Sequence, residues 1–279
     1  MTTELGTYGI WQRADDLTPE LARQAEALGY GAIWIGGSPP GDLQLAESLL
    51  DATEHIAVAT GIVNMWQTPA GEAARSYHRI AGKHPDRFLL GVGIGHPEAT
   101  AAYRSPYTTI VEYLDALDAA EVPRQGRALA ALGPKVLAVA AERTAGAHPY
   151  LTNPRHTREA RDLLGPGVLL APEQKVVLET DPARARAIGR PYVDMPYLHL
   201  RNYVANLKRL GYTDEDIADG GSDRLIDDLV VHGDADAVAA GLTAHLDAGA
   251  DHVCAQFLTP EGADPLPAMR AVSVALRLA

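Results

Sequence analysis

At 279 residues with a formal net charge of −12, the chain is long enough for one large domain and has the wrong sign for nucleic acid or an anionic membrane. Its single cysteine, Cys254, excludes a disulfide framework and a thiolate metal cage and fits a reducing cytosol, where a small core residue is its ordinary role. No apolar run reaches bilayer length and the N-terminus lacks the basic-then-apolar layout of a signal peptide, so a cytoplasmic location is expected.

Apolar strands alternate with helical patterns along the whole sequence. Residues 7–11 read as a first strand. Thr18-Pro19-Glu20 then opens a helix that Gly29 ends, with a Thr cap, a first-turn Pro and a terminal Gly where helices favour them. A second strand over 32–37 precedes a helix over 43–53, and a β-branched third strand over 56–66 precedes a helix over 69–83. The fourth strand, 88–95, leads to a helix over 107–120. The fifth runs from Arg127 to Leu132, and Gly133-Pro134 starts a helix at once, with Pro at a position where a helix can spare its N–H. Strands over 147–151, 174–179 and 252–258 follow, with helices from Asn153, Asp181 and Pro265.

Eight strands that lack polar alternation, each followed by a helix, predict a closed parallel (β/α)8 TIM barrel; an open doubly wound sheet is the alternative. No Pro/Gly/Ser-rich linker or charge block divides the chain, so one domain is expected over 1–279. The stretch 189–234 is too long for one connecting helix. Arg190-Pro191 breaks the pattern there and a second helix runs over 198–210, which reads as an insertion between strand seven and strand eight.

Barrel enzymes keep their chemistry at the C-terminal ends of the strands. Those ends carry Trp11-Gln12-Arg13, then Gly36-Gly37-Ser38, then Gly61-Ile62-Val63-Asn64-Met65-Trp66, then Gly93-Ile94-Gly95-His96. Glycine at three of the four mouths lets a flat ligand lie close to the backbone, although any one of them also serves as an ordinary barrel turn. Gly91-x-Gly93-x-Gly95 is not a dinucleotide fingerprint, because its third glycine comes one residue early. At Leu132-Gly133-Pro134-Lys135 the first-turn amides have no partners inside the helix and favour an anion such as phosphate; a plain strand-to-helix turn would look the same.

The blocks Gly29-Tyr-Gly-Ala-Ile-Trp34, Ala59-Thr-Gly-Ile62, Pro85-Asp-Arg-Phe-Leu-Leu-Gly-Val-Gly93, Ala131-Leu-Gly-Pro-Lys135 and Ala248-Gly-Ala-Asp-His-Val253 come in an order and spacing that resembles the bacterial luciferase-like flavin and deazaflavin oxidoreductases, nearly end to end. The branch that uses coenzyme F420, common in actinobacteria, is the most similar. The resemblance implies a deazaflavin, or alternatively FMN, at the barrel mouth. It implies a non-proline cis peptide at Gly61-Ile62 behind the ring, a phosphate near Gly133 to Lys135, and a homodimer formed through outer helices such as 43–53 and 70–81. The cofactor-binding candidates are Gly36, Gly37, Ser38, Gly61, Ile62, Asn64, Gly93, Gly95, Leu132, Gly133, Pro134 and Lys135. The sequence departs from the family twice. Gly36-Gly37-Ser38 stands where several deazaflavin dehydrogenases carry an Asp-His pair, and His96 replaces a frequent glutamate.

With the familiar base absent, a reductase of activated C=C or C=O bonds is the expected activity, since a reduced deazaflavin needs little acid–base help when its acceptor is polarised. His96 is the catalytic candidate, an imidazole at a strand end that donates a proton or polarises a small-molecule substrate; bonding a loop carbonyl is its other role. Trp11 and Trp66 at strand ends, and Tyr197 and Tyr203 in the insertion, are the substrate-facing candidates, while an aromatic stripe of that kind also serves as ordinary packing. Arg75 and His78 read as a solvated helix face. No His-Glu-x-x-His, paired His or Cys cluster points to a metal. Ser38 and His96 lack a nucleophile elbow, whereas paired carboxylates for glycoside hydrolysis stay open on a barrel. A non-catalytic deazaflavin carrier is the remaining alternative.

Overall fold

The computed structural model describes residues 3–95 and 105–278. Its strands are β1 Tyr8–Arg13, β2 Ala32–Gly36, β3 Ala57–Gly61, β4 Val63–Asn64, β5 Phe88–Gly93, β6 Arg127–Leu129, β7 Gly146–Ala147, β8 Leu169–Leu170, β9 Glu173–Val177, β10 Val230–His232 and β11 Val253–Phe257. They pair in the order β10-β9-β11-β1-β2-β3-β5-β6-β7-β8, with β4 beside β5. Only Ala171 and Pro172 separate β8 from β9, so the two are halves of one strand and the ring closes through them. The Ala171 amide donates to Ala147 O at 2.9 Å on one side, and the Cys254 amide to Pro172 O at 3.1 Å on the other. β3 and β4 are likewise one strand interrupted at Ile62, and β10 stands outside the ring. Eight strands thus close a parallel barrel.

Helices α1 Pro19–Ala27, α2 Gln44–Asp51, α3 Ala70–Lys83, α4 Pro106–Ala119, α5 Pro134–Arg143, α6 Pro154–Leu164 and α7 Pro182–Asp194 follow strands in turn. The insertion adds α8 Arg201–Arg209, α9 Asp214–Ile217 and α10 Asp223–Leu229; α11 Ala235–Asp247 then leads into β11 and α12 Leu266–Leu276 covers it. Side chains start these helices where a first-turn amide needs an acceptor: Thr18 takes the Leu21 amide at 3.1 Å and Asn153 the His156 amide at 3.1 Å. Arg190-Pro191 does not break the chain as expected. Pro191 sits in the last turn of α7, which continues to Asp194. The helix expected over 198–210 begins instead as a short 3-10 turn, Tyr197–His199, before α8. β10 escapes the sequence reading because three residues inside an insertion carry too little pattern. The seventh strand begins earlier than expected, at Leu169, with Pro172 interrupting its ladder.

Parallel strands buried on both faces put alternate residues inside the ring and under the helices. Ala32, Ala57, Ala59, Ala128 and Ala171 join Trp11, Trp34 and Cys254 in one interior cluster, while Ile33, Ile35, Val58, Leu90 and Leu129 belong to the larger core beneath the helices. The interior positions are small because Trp34 and Trp11 occupy the space. Cys254 is buried there, as a core residue. On α2 and α3, Leu49, Leu50, Ala73 and Ile80 are buried within the chain. The outward face is ion-paired, Arg79 with Glu47 at 2.9 Å and Lys83 with Asp51 at 2.8 Å.

Candidate active site

A cavity of ≈ 400 Å³ opens at the C-terminal mouth of the barrel. Every strand end the sequence singled out supplies part of its wall: Trp11 from β1, Gly37 and Ser38 after β2, Gly61, Ile62 and Asn64 at the β3–β4 break, Gly95 after β5, and Leu132 and Gly133 after β6. Tyr197 and Tyr203 reach it from the insertion. The Gly61-Ile62 peptide is cis, as the resemblance implied.

Other candidates stand apart from the wall. Gly36 lies behind it, making room for the Trp11 indole, which a Cβ there would strike. Gly93 does the same for Ile62, whose Cγ1 would lie 3.0 Å from an added Cβ. Pro134 and Lys135 are exposed in the first turn of α5, beside the cavity and not within it. Trp66 is half-buried, its amide donating to Asn64 Oδ1 at 2.9 Å, and it does not line the cavity. His96 lies outside the described residues.

The sequence reading missed His148 and Tyr150, which follow β7 and line the cavity. The rule that drew attention to the first four strand ends points to both when applied to the sixth. His148 is 1% exposed, and its Nδ1–H donates to Ala171 O at 2.7 Å. Its ring stacks on Trp34 with centroids 3.9 Å apart and planes 12° apart. Trp34 in turn donates to His252 Nε2 at 3.1 Å, and His252 Nδ1–H to Gly6 O at 2.8 Å. Burial pushes the His148 imidazole down to about 4, so it is neutral at neutral pH. Its Nε2 therefore carries a lone pair.

Tyr150 is held from below and from the side. Lys175 and Glu173 form a wholly buried ion pair at 3.2 Å, the Leu151 amide donates to the same carboxylate at 3.1 Å, and the Lys175 ammonium sits 3.9 Å from the centre of the Tyr150 ring. Burial pushes Lys175 down from the ordinary lysine range. The Tyr150 hydroxyl donates to Gln256 Oε1 at 3.0 Å. Trp11, Tyr150, Tyr197 and Tyr203 then form a continuous aromatic wall, with successive centroids 5.1, 5.3 and 4.9 Å apart. Beside it, α5 begins at Gly133 with no side-chain cap, and a Cβ on Gly133 would meet only the Arg209 guanidinium, at 3.9 Å.

Among the described residues the wall contains no Asp, Glu, Lys or Arg. A pair of catalytic carboxylates is not found among the described residues of the wall. Nor do the described residues hold a group of His, Cys, Asp or Glu arranged for a metal ion. None of their helices is long and apolar enough to cross a membrane.

A parallel barrel with its cavity at the C-terminal mouth keeps its candidate site where barrel enzymes keep theirs. The family model for luciferase-like monooxygenases matches residues 7–252, and the chain belongs to that family. A search of curated proteins found no matching sequence. Among solved structures, an F420-dependent secondary alcohol dehydrogenase in complex with an F420-acetone adduct superposes with a TM-score of 0.75 at 14% identity, covering 100% of this chain and 99% of its own. The coenzyme F420-dependent tetrahydromethanopterin reductase of Methanopyrus kandleri gives 0.70 at 17% identity, with coverages of 97% and 98%. The oxygenating constituent of 3,6-diketocamphane monooxygenase from Pseudomonas putida, in complex with FMN, gives 0.65 at 14%, with 96% of each chain covered. At these identities the likeness is one of fold.

The residues present fit a flavin-type group. The glycines leave the floor open, the aromatic wall offers flat apolar surface, and the free first-turn amide of α5 with Arg209 beside it suits a phosphate.

Proposed function

We propose that this chain is a coenzyme F420-dependent oxidoreductase that transfers a hydride between the deazaflavin and a small organic substrate, in the direction that reduces an activated C=C or C=O bond. The observation that carries this reading is the uncharged wall, whose one imidazole among the described residues is held neutral. Among the described residues it offers no strong base to take a proton from an alcohol, a need that hydride donation to a polarised acceptor does not share.

When bound, the coenzyme would supply the hydride. Binding and orientation fall to the chain. Gly37, Gly61 and Gly133 admit a flat ring close to the backbone, Ile62 presents an apolar face to it, and the Trp11–Tyr150–Tyr197 wall encloses the substrate side and limits water. The α5 amide, Lys135 and Arg209 would hold the phosphate. An FMN-dependent monooxygenase is the second reading, favoured by the FMN-bound neighbour.

Calorimetric titration with oxidised F420 and with FMN tests the cofactor, and tighter binding of F420 is expected; tighter binding of FMN assigns the chain to the monooxygenase side. Mixing the F420-reduced protein with a panel of enones and quinones tests catalysis. Return of the oxidised absorbance with any acceptor excludes a carrier, and its absence with all of them makes the chain a carrier.

A further inference from the structure

A second cavity, of ≈ 970 Å³, adjoins the first at the barrel mouth. Its walls are the end of β1, the start of α1, one side of α7 and the loop 259–265 that joins β11 to α12. The two cavities meet at one hydrogen bond. Gln256 lines the second and accepts at 3.0 Å from the hydroxyl of Tyr150, which lines the first.

Two carboxamides lie in the floor of this second cavity. Gln12 is 6% exposed and Gln256 4%, yet neither carboxamide is sealed off from the cavity. The Gln12 side chain makes no hydrogen bond among the described residues, and Gln256 spends one amide atom on Tyr150 and leaves the other without a partner there. Amides this deeply set are seldom left unpaired, because an unmade hydrogen bond costs stability. Gln12 offers a donor and an acceptor side by side, so a hydroxyl, which is both, complements it. Leu21, Ile188, Phe257 and Leu258 add apolar surface around the two amides.

The rim is acidic. Arg13 lies 3.7 Å from Asp15 and Glu20 lies 2.8 Å from Arg23, so these two rim charges are already matched. Asp16 and Glu261, on opposite elements of the rim, are exposed and have no ion-pair partner among the described residues. Asp264 adds a third carboxylate, which accepts the Leu266 amide at 2.9 Å. A cation is drawn to such a rim and an anion is repelled.

We propose that this second cavity binds a small organic cation, an amine joined through an apolar body to a hydroxyl, with the amine at the Asp16 and Glu261 rim and the hydroxyl on Gln12 and Gln256. The volume suits a molecule of that kind. The inference does not depend on the cofactor proposed above.

Three phenols that differ in charge test it: tyramine is a cation, tyrosol is neutral and 4-hydroxyphenylacetate is an anion. The full-length protein is titrated with each at neutral pH and low salt, followed by ligand-observed NMR. Tyramine is expected to bind about threefold more tightly than tyrosol, the scale of an exposed ion pair, and tyrosol more tightly than the anion. Added salt narrows both differences. In Gln12→Leu, tyramine and tyrosol both bind about tenfold more weakly in the same order, while the melting temperature does not fall, because the lost amide had no partner in the fold. In the double variant Asp16→Asn, Glu261→Gln the two compounds become equal. Failure of wild-type protein to bind tyramine overturns the inference and leaves the amides to water. Undiminished binding by Gln12→Leu puts the ligand elsewhere and overturns it as well. Tyrosol or the anion binding as tightly as tyramine to wild-type protein, or a preference for tyramine that survives the double variant, overturns the cationic class.

Discussion

Gly61 is where the residues of the site meet. It closes β3 opposite Gly36 and has His148 and Trp11 on either side of its missing side chain. A Cβ at that position would stand 2.9 Å from two ring nitrogens, closer than side-chain carbons approach such atoms; His148 is pinned by its stack on Trp34 and Trp11 packs at a tilt against Tyr150. Gly61→Val is expected to destabilise the fold by about 1–3 kcal/mol, the usual cost of overpacking, and to weaken ring binding well beyond that of any surface variant. Ser38 is a fair comparison, because it lines the same cavity from an exposed position where water replaces a lost hydroxyl. Ser38→Ala is expected to bind F420 within about twofold of wild type, in line with ordinary surface substitutions. Thermal melts and calorimetric titrations of the two variants check both statements. A Gly61→Val protein that melts and binds like Ser38→Ala would refute the crowding argument.

At the scale of elements, strands and helices were legible where the chemistry was local. The Thr18 cap with Pro19, the Asn153 cap with Pro154 and the Gly133-Pro134 turn each place a helix start within a residue of the structure. Pro191 was misread because a proline in the last turn of α7 forgoes an amide bond without ending the helix, a tertiary tolerance that local rules do not see. The strand ends told where the site is, yet not which residues matter within it. Leu132 and Gly133 line the cavity while Pro134 and Lys135, next along the same turn, face solvent. His148 and Tyr150 follow a strand end that the same rule would have flagged, whereas the Lys175–Glu173 pair beneath Tyr150 depends on strands brought together by barrel closure, and no spacing along the chain encodes that. The start of α5 gives an element-scale prediction. Arg209, the last residue of α8, comes within 3.9 Å of where a Gly133 side chain would be and brings a second cation to the uncapped turn that carries Lys135. Arg209→Ala is expected to lower affinity for phosphate-bearing F420 or FMN by about tenfold, as loss of one charge-assisted contact does. Affinity for 5-deazariboflavin, which has no phosphate, should stay at the wild-type value. An equal loss for both ligands would remove the phosphate from this turn.

For the whole molecule, the buried imidazoles set how stability depends on pH. Burial pushes His148 and His252 down to about 4 and His245 down to about 3, and lowers His156 as well. Each is neutral and committed in the fold. His252 accepts from Trp34 at 3.1 Å, and His245 bridges Thr157 at 2.7 Å and Gln174 at 2.8 Å, joining α11 to α6 and β9. In the unfolded chain all four titrate near ~6.5. Below that pH the unfolded state therefore binds more protons than the folded one, and stability falls as pH falls. The stability is fully present above about 6.5 and is lost progressively toward about 4 and then 3, each histidine contributing up to about 1.4 kcal/mol per pH unit within its own window. Paired carboxylates such as Asp227 and Asp118 are lowered from 3.8 and act in the same direction, but below the range where the histidines begin. Net charge predicts the opposite sign. The formal charge of −12 shrinks as pH approaches the sequence pI of ≈ 5.2, which eases self-repulsion and would stabilise the fold on mild acidification. Thermal melts from pH 8 to 4.5 separate the two effects. A melting temperature that is level above pH 7 and declines steadily below 6.5 follows from the buried histidines, and His245→Gln should flatten that decline while lowering the plateau. A melting temperature that rises between pH 7 and 5 would mean that overall charge, and not the buried histidines, governs the stability of this barrel.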